Sequence, residues 1–406
     1  MGFLHEKSRQ INSQRKQIII YGIQNVIFKH SIRNSSQKKK KKHDYSFEYY
    51  GDYQPQITLN VNREEIWTST IAELSKHDPA SLVHQQLIIN FEGEQGIDQG
   101  GMAREWVNLA LKDVLDPKKG FFQLSSNKIT LQPNPLSTII PDNLLNFRFI
   151  GRLVGLALTN KIDFEIDLTR SFLKHILKIP LYISDFEDFD IQIGKNLFWI
   201  LENDITGCDI MYCVENNQFG INGQIDLIEN GRNIEVTQEN KKDFVKDFVN
   251  YKLTQEIKPQ TQAFISGFYD VIHPEGLLFF DERDLGLRLA GQKEINIKDM
   301  KQNTKYGGNY DNDSIQIIWF WEILDYFNEE MKQSFIFFLT GAFKVPFGGF
   351  EANPIEIFDK QGVVNSLPIA HTCFNKLELP VYQSKQQLQQ KLIQAITEGS
   401  KGFHLN

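Results

Sequence analysis

The chain reads as an α+β protein, mostly helical, with more than one core. Three observations point there. Its 406 residues are 41% hydrophobic and 23% charged, a globular balance that excludes disordered, collagen-like and disulfide-scaffold classes and fills roughly two to three cores at ordinary domain sizes. Apolar residues recur at helical spacing over most of the length, while alternating or proline-bounded runs read as strands. Two adjacent glycines, Gly307 and Gly308, interrupt the pattern late in the chain, where their conformational freedom predicts a domain hinge, an interhelical turn being the plainer reading.

Charge is unevenly placed. The net charge is -7, but residues 1–56 hold 11 Lys and Arg against 4 Asp and Glu, leaving 33 against 47 for residues 57–406. The front is therefore basic, +7, and the body acidic, -14. Within the tail, Arg33 and Lys38–Lys42 read as a nuclear-import patch, a phosphate-binding patch or a solvated linker. The opening residues to Gln17 are polar, and Ile18–Phe28 is too short to span a bilayer. With three cysteines in so long a chain, a reducing compartment is expected, cytosolic or nuclear, with no membrane and no nucleic acid as partner.

The expected elements follow in order. Gln56–Val61 alternates as a strand, and Arg63–Leu74 carries Ile66, Trp67, Ile71 and Leu74 on one helical face. After the apolar run His84–Phe91 come glycines at 93, 96, 100 and 101. Their spacing fits neither a dinucleotide fingerprint nor a phosphate loop, and the Lys-Ser/Thr pair of the latter is missing. The segment is a turn feeding a helix, with Asp98 near the start and Trp106, Leu109, Ala110 and Val114 at helical spacing. Glu94, Arg104 and Glu105 stand beside that stripe, where a surface ion pair is the plain expectation.

Leu144–Asn160 is apolar on nearly every face, with Gly151 and Gly155 four apart. Together with Arg148, Arg152 and Lys161, that predicts a buried helix in close contact with a neighbour rather than a membrane span. Asp163, just beyond, is a cap or a functional carboxylate. From Ile183 to Ile257, large apolar residues on short elements form either a small core or an exposed groove for a partner, and Thr237 caps a helix over Glu239–Glu256. Helical patterns return over Gln262–Leu289. A long aromatic-rich helix is expected over Ser314–Phe338, a strand and turn over Pro346–Phe350, and a last helix opened by Ser384 and Gln387 and buried through Leu388, Leu392, Ala395 and Ile396.

Cys208 and Cys213 lie five apart without further ligands at metal spacing, so both read as buried small hydrophobes. Cys373 keeps different company. His371, Thr372, Phe374 and Asn375 surround it in a segment between Pro368 and Pro380 that excludes a long helix. If that segment is extended, residues 371, 373 and 375 point the same way, placing an imidazole and an amide near the thiol. This is the setting of a reactive cysteine, and also one an inert thiol can occupy.

Several ordered motifs resemble one family. They are Phe91–Gly101, Phe149-Ile-Gly-Arg-Leu-Val-Gly-Leu-Ala157, Val236–Lys241, Phe320-Trp-Glu322 with Phe338-Leu-Thr-Gly341, and above all Leu367–Pro368 to Thr372-Cys-Phe-Asn375 with Leu379–Pro380. Together they are similar to the HECT ubiquitin ligase domain, collinearly from about residue 57 to the last.

The resemblance implies a bilobal α+β fold. A basic, flexible tail over 1–56 would precede a mostly helical N-lobe over 57–305, with a conjugating-enzyme-binding subdomain at about 190–260. A hinge over 306–310 and an α/β C-lobe over 311–406 would follow. It implies a transferase in which Cys373 takes ubiquitin from a conjugating enzyme as a thioester and passes it to a lysine of a protein substrate. Such thioester exchange needs no cofactor and no metal. Supporting positions would be Arg63, Glu94, Glu105, Asp163, His371, Thr372 and Phe403. The conjugating enzyme would meet Ile193, Leu197, Met211, Phe244 and Phe248, with Asn203 where the family keeps a tyrosine. Two other readings are a cysteine hydrolase (deubiquitinase or protease), for which only His371 is offered as base, and an inactive scaffold of the same fold. Only about 56 residues precede the resemblance and none shows a WW, C2-like or repeat pattern. Substrate choice is thus expected to rest on the lobes, on an adaptor, or on a larger protein of which this is the catalytic end.

Overall fold

The computed structural model describes residues 55–94, 101–162, 164–218, 221–291, 295–341, 344–345, 349–359, 366–372 and 375–402. The basic tail, Asp98, Asp163, Cys373 and Phe403 lie outside the described residues.

Strand β1 (Gln56–Val61) turns Ile57, Leu59 and Val61 inward, as period-two alternation requires. Helix α1 (Ile66–Ser75) buries Ile66, Trp67, Thr70 and Leu74. Helix α2 (Pro79–His84) opens on Asp78, whose carboxylate accepts from the N–H groups of Ala80 and Ser81 at 3.1 and 3.3 Å. This is N-capping with proline at the first helical position. Strand β2 (Gln86–Phe91) and helix α3 (Gly101–Leu115) follow, and α3 buries the expected Trp106, Ala110 and Val114. Strands β3 (Phe122–Leu124) and β4 (Leu131–Pro133) pair antiparallel.

Helix α4 (Asn143–Thr159) is buried from Phe149 through Leu158. After α5 (Arg170–Leu177), α6 (Phe186–Phe189), α7 (Ile191–Glu202), the antiparallel pair β5 (Cys213–Gln218) and β6 (Ile221–Asp226), and α8 (Lys241–Leu253), the helix α9 (Lys258–Tyr269) lies against α4. The predicted close contact is there, and glycine makes it. A Cβ on Gly151 would stand 2.0 Å from the Phe264 carbonyl oxygen, and one on Gly267 would stand 1.7 Å from that of Arg148. The two backbones meet where neither carries a side chain. Asp270, just past α9, bonds Arg148 at 3.1 Å and the buried Arg152 at 2.5 Å, so the charge within the apolar helix is matched. Phe122, Phe147, Phe172, Phe264 and Phe268 form a chain of ring contacts through the same core.

The remaining elements are α10 (Glu282–Ala290), α11 (Ile297–Gln302), β7 (Lys305–Gly307), α12 (Ile315–Tyr326), α13 (Glu329–Thr340), α14 (Gly349–Ala352), β8 (Glu356–Asp359), β9 (Ile369–His371), β10 (Lys376–Leu379) and α15 (Lys385–Gly402). Their sheet has the order β7-β8-β10-β9, with β7 and β10 parallel to β8 and β9 antiparallel to β10.

The chain divides into two compact units. One comprises the described residues to Leu87, Leu109–Lys161 and Asp167–Gly286; the other comprises Ile88–Asn108, Ile162–Ile166 and everything from Leu287. A boundary at 305/306 does not describe this division. Ile295, Ile297 and Met300 share one buried cluster with Tyr310, Ile317, Trp321, Leu377 and Leu392.

Several local expectations change. The helix over Ser314–Phe338 is two, because the Asn328 side chain accepts from the Met331 N–H at 2.8 Å and starts α13 afresh. The helix expected over Glu239–Glu256 runs only through Lys241–Leu253, because Asn240 turns its side chain back to the Thr237 N–H at 2.8 Å. Gly349–Ala352 is helical, not strand. Cys208 is exposed, and Cys213, the first residue of β5, is only half-buried; burial, with Asp226 nearby, pushes the Cys213 thiol up. Ser384 does cap α15, accepting from the Gln387 N–H at 3.2 Å.

Candidate active site

The cysteine-bearing motif is folded as a hairpin. Strands β9 and β10 pair with His371 opposite Lys376, so residues 372–375 are the connection between them. Neither Thr372 nor Asn375 is part of a strand. The expectation that 371, 373 and 375 point the same way falls in part outside the described residues, because Cys373 is among those not described. Asn375 takes a left-handed conformation at φ 52°, a turn geometry that asparagine tolerates better than most residues. Its carbonyl accepts from the Glu356 N–H at 3.1 Å, fixing the turn to the start of β8.

The hairpin is anchored from below. Leu377 and Leu379 are fully buried, and the Tyr310 hydroxyl donates to the Leu379 carbonyl at 2.9 Å. Burial, with Asp359 adding to it, pushes the Tyr310 phenol up to about 12, so it stays a donor at neutral pH. Gln316 holds Tyr382 at both backbone groups, donating to its carbonyl at 2.8 Å and accepting from its N–H at 3.2 Å. Pro368 and Pro380 bracket a segment held at fixed points.

On the open side, His371 Nε2 lies 2.9 Å from Glu378 Oε1, and its ring stacks on Phe358 with centroids 6.3 Å apart. The imidazole is engaged across the hairpin, the bond expected of a residue that shapes the loop. Beside it, Lys376 pairs with Glu356 at 2.7 Å. Arg104 was expected in a surface ion pair. It instead sends Nη1 to the Thr372 carbonyl and the Asn375 side-chain oxygen, each at 3.4 Å. Sequence reasoning missed this link because 268 positions separate its ends.

Glu94 and Glu105 are exposed in the same unit, and Arg63 is exposed in the other. The glycine pair is not a loose junction. Gly307 is part of β7, and Gly308 sits at φ 69° against Asp359. Asp359 accepts from the Asn309 N–H at 3.0 Å and from its side chain at 2.6 Å.

Within residues 181–253, the excess of large apolar groups is a core. Leu197 and Phe244 are buried with Phe186, Ile200, Tyr212 and Val249, while Ile193 and Phe248 pack partly buried against them. Leu197 and Phe244 therefore do not line an open groove. Among the described residues, the exposed apolar side chains here are Tyr182, Ile191, Phe198, Trp199, Met211 and Ile228. Asn203 ends α7 one turn beyond Trp199, its amide donating to the Trp199 carbonyl at 2.9 Å. Among the described residues no group of three or more His, Cys, Asp or Glu could hold a metal ion, and no helix is long and apolar enough to cross a membrane.

A family model for the HECT-domain (ubiquitin-transferase) matches residues 108–406, far more than half of the chain and including the whole hairpin. The chain belongs to the HECT-domain family. It is 40% identical over 351 residues to the E3 ubiquitin-protein ligase pub1 of Schizosaccharomyces pombe, covering 84% of this chain and 46% of that protein. It is 39% identical over 360 residues to the E3 ubiquitin-protein ligase TOM1-like of Neurospora crassa, covering 86% and 9%. With the E3 ubiquitin-protein ligase HACE1 of Danio rerio it shares 37% over 354 residues, covering 85% and 39%. This HECT chain thus spans from about a tenth to about half the length of these curated relatives.

Proposed function

We propose that this HECT chain transfers ubiquitin through Cys373. The Cys373 thiolate attacks the thioester carbonyl of ubiquitin carried by a conjugating enzyme; a new S–C bond forms, and the conjugating enzyme's sulfur leaves as thiolate. A substrate lysine then attacks the new thioester with its neutral amine. The C–N bond forms, the Cys373 thiolate leaves, and the amine proton goes to solvent or a base. Exchange between two thioesters is nearly neutral in free energy, so the protein's contribution is to hold the reacting groups together.

The observation that carries the reading is the Thr372–Asn375 connection, which combines the family's cysteine motif with a rigidly anchored hairpin. The experiment is incubation with activating enzyme, conjugating enzyme and ubiquitin. A thiol-sensitive adduct is expected from the intact chain and none from Cys373→Ala; persistence of the adduct in that variant would overturn the assignment.

We place the conjugating enzyme on the subdomain at 181–253, through the exposed Phe198, Trp199 and Met211 with the half-buried Ile193 and Phe248. We also place the pivot of the catalytic lobe before Ile295 rather than at Gly307–Gly308. The continuous buried cluster from Ile295 to Ile396 supports this, because rotation at β7 would tear a strand from its sheet.

A further inference from the structure

We propose that Arg104 is a positioning residue for the loop that carries Cys373. The inference rests on the transfer reading above and adds to it a group from a distant part of the chain. Arg104 lies in the first turn of α3, directly after the glycine-rich segment, and is half-buried. Its guanidinium bonds both ends of the four-residue connection, the carbonyl of Thr372 and the side chain of Asn375. The residues on either side of Cys373 are thereby tied to one rigid cation.

The surrounding charges are otherwise matched. Glu378 is taken by His371 and Glu356 by Lys376. Among the described residues the guanidinium's hydrogen bonds go to neutral acceptors on the loop. Both bonds leave one nitrogen, Nη1, whose two N–H groups are held in the guanidinium plane, whereas the hydrogens of a lysine ammonium rotate about its terminal bond. Both bonds are long at 3.4 Å, so the pair acts as a guide for the loop rather than a strong tether. The hairpin needs such a guide. Its strand β10 is fixed by Tyr310 and the end of the connection by the Asn375–Glu356 bond, yet the connection must present one thiol first to a conjugating enzyme and then to a lysine. A loop that wanders loses rate in both steps, since about 1 Å of misplacement is costly in group transfer.

The test uses the full chain and single-turnover transfer from a ubiquitin-charged conjugating enzyme. The variants are Arg104→Gln, Arg104→Lys, Asn375→Gly and the double variant Arg104→Gln/Asn375→Gly. Glycine at 375 keeps the left-handed backbone while deleting the acceptor. Arg104→Gln is expected to slow the maximal rate of adduct formation about tenfold, the scale of one charge-assisted hydrogen bond. The final adduct amplitude and the half-saturating concentration of conjugating enzyme stay unchanged. Arg104→Lys recovers part of the rate. The double variant is expected to be little slower than Arg104→Gln alone, because the two groups act as one. A wild-type rate in Arg104→Gln, multiplying effects in the double variant, or an amplitude that falls with the rate would overturn the inference. Hydrogen exchange in the free chain gives an independent readout. Amides of Ile369–Leu379 are expected to exchange faster in Arg104→Gln, and unchanged exchange would also overturn it. An intact chain that forms no adduct would remove the transfer reading, while the exchange measurement still decides whether Arg104 holds the loop.

Discussion

Gly308→Ala, set beside Gly307→Ala, separates a flexible junction from a locked turn. A Cβ at 308 would lie 1.7 Å from Asp359 Oδ1 in a backbone at φ 69°, whereas at 307 the nearest atoms, on Glu356 and Phe358, are 3.5 Å away. Left-handed geometry costs alanine about 1 to 2 kcal/mol. Displacing the Asp359 carboxylate weakens its two bonds to Asn309, which at an exposed site are worth about 1 kcal/mol each. The narrower unfolded ensemble of alanine returns roughly 0.5 to 1 kcal/mol. The net is a loss of about 2 kcal/mol for Gly308→Ala, against a value near zero for Gly307→Ala. With a urea slope of roughly 2 kcal/mol/M, the unfolding midpoint falls by about 1 M. Urea denaturation of the full chain, read together with hydrogen exchange over Lys305–Tyr310, measures it. Equal midpoints for the two variants would refute the locked turn. A freely rotating pair would show them unchanged in stability and equally slow in ubiquitin transfer.

Four further outcomes are expected. Gly267→Ala drives a Cβ to 1.7 Å from the Arg148 carbonyl oxygen, so overpacking of roughly 1 to 3 kcal/mol or more outweighs a helix-propensity gain of about 1 kcal/mol. Denaturation should show net loss, while Gly276→Ala, with nothing within 4 Å, should be neutral. Leu197→Ala is expected to destabilise by about 2 to 5 kcal/mol as a core truncation, whereas Trp199→Ala leaves the unfolding midpoint in place and weakens conjugating-enzyme binding in a pull-down or titration. Asn328→Ala removes the cap of α13 and should cost about 1 kcal/mol. Burial holds the His175 imidazole below its ordinary value of 6.5, beside the Leu253 carbonyl at 2.7 Å. Unfolding therefore takes up a proton below pH 6.5, and stability falls as pH drops from there through the folded value; in His175→Gln that part of the pH dependence should flatten.

Local periodicity carried most of the helices and the covered position of α4, since a helix apolar on all sides has nowhere else to go. It failed where a side chain competes with the backbone. Asn328 and Asn240 each redirect a local hydrogen bond, and neither effect is visible in an apolar count. It also failed in counting cores. The crowd of apolar residues between 183 and 257 was consistent with a core or a groove, and only packing assigned Leu197 and Phe244 to the interior while leaving Trp199 outside.

The sequence by itself determined the family, because the motifs that carry it are contiguous stretches of chain. It also determined that α4 lies buried close against a neighbour, because glycines four apart on an apolar helix are readable in one dimension, while the structure identified that neighbour as α9. The tertiary structure placed Gly307 at a strand end and Gly308 in a left-handed turn beside Asp359. It decided too that the strands on either side of the cysteine pair antiparallel, and that Arg104 reaches Thr372 from 268 residues away. Both outcomes depend on pairings between positions far apart in the chain. Strand register and a long side chain's partner are fixed by what the fold brings alongside, which no local pattern encodes.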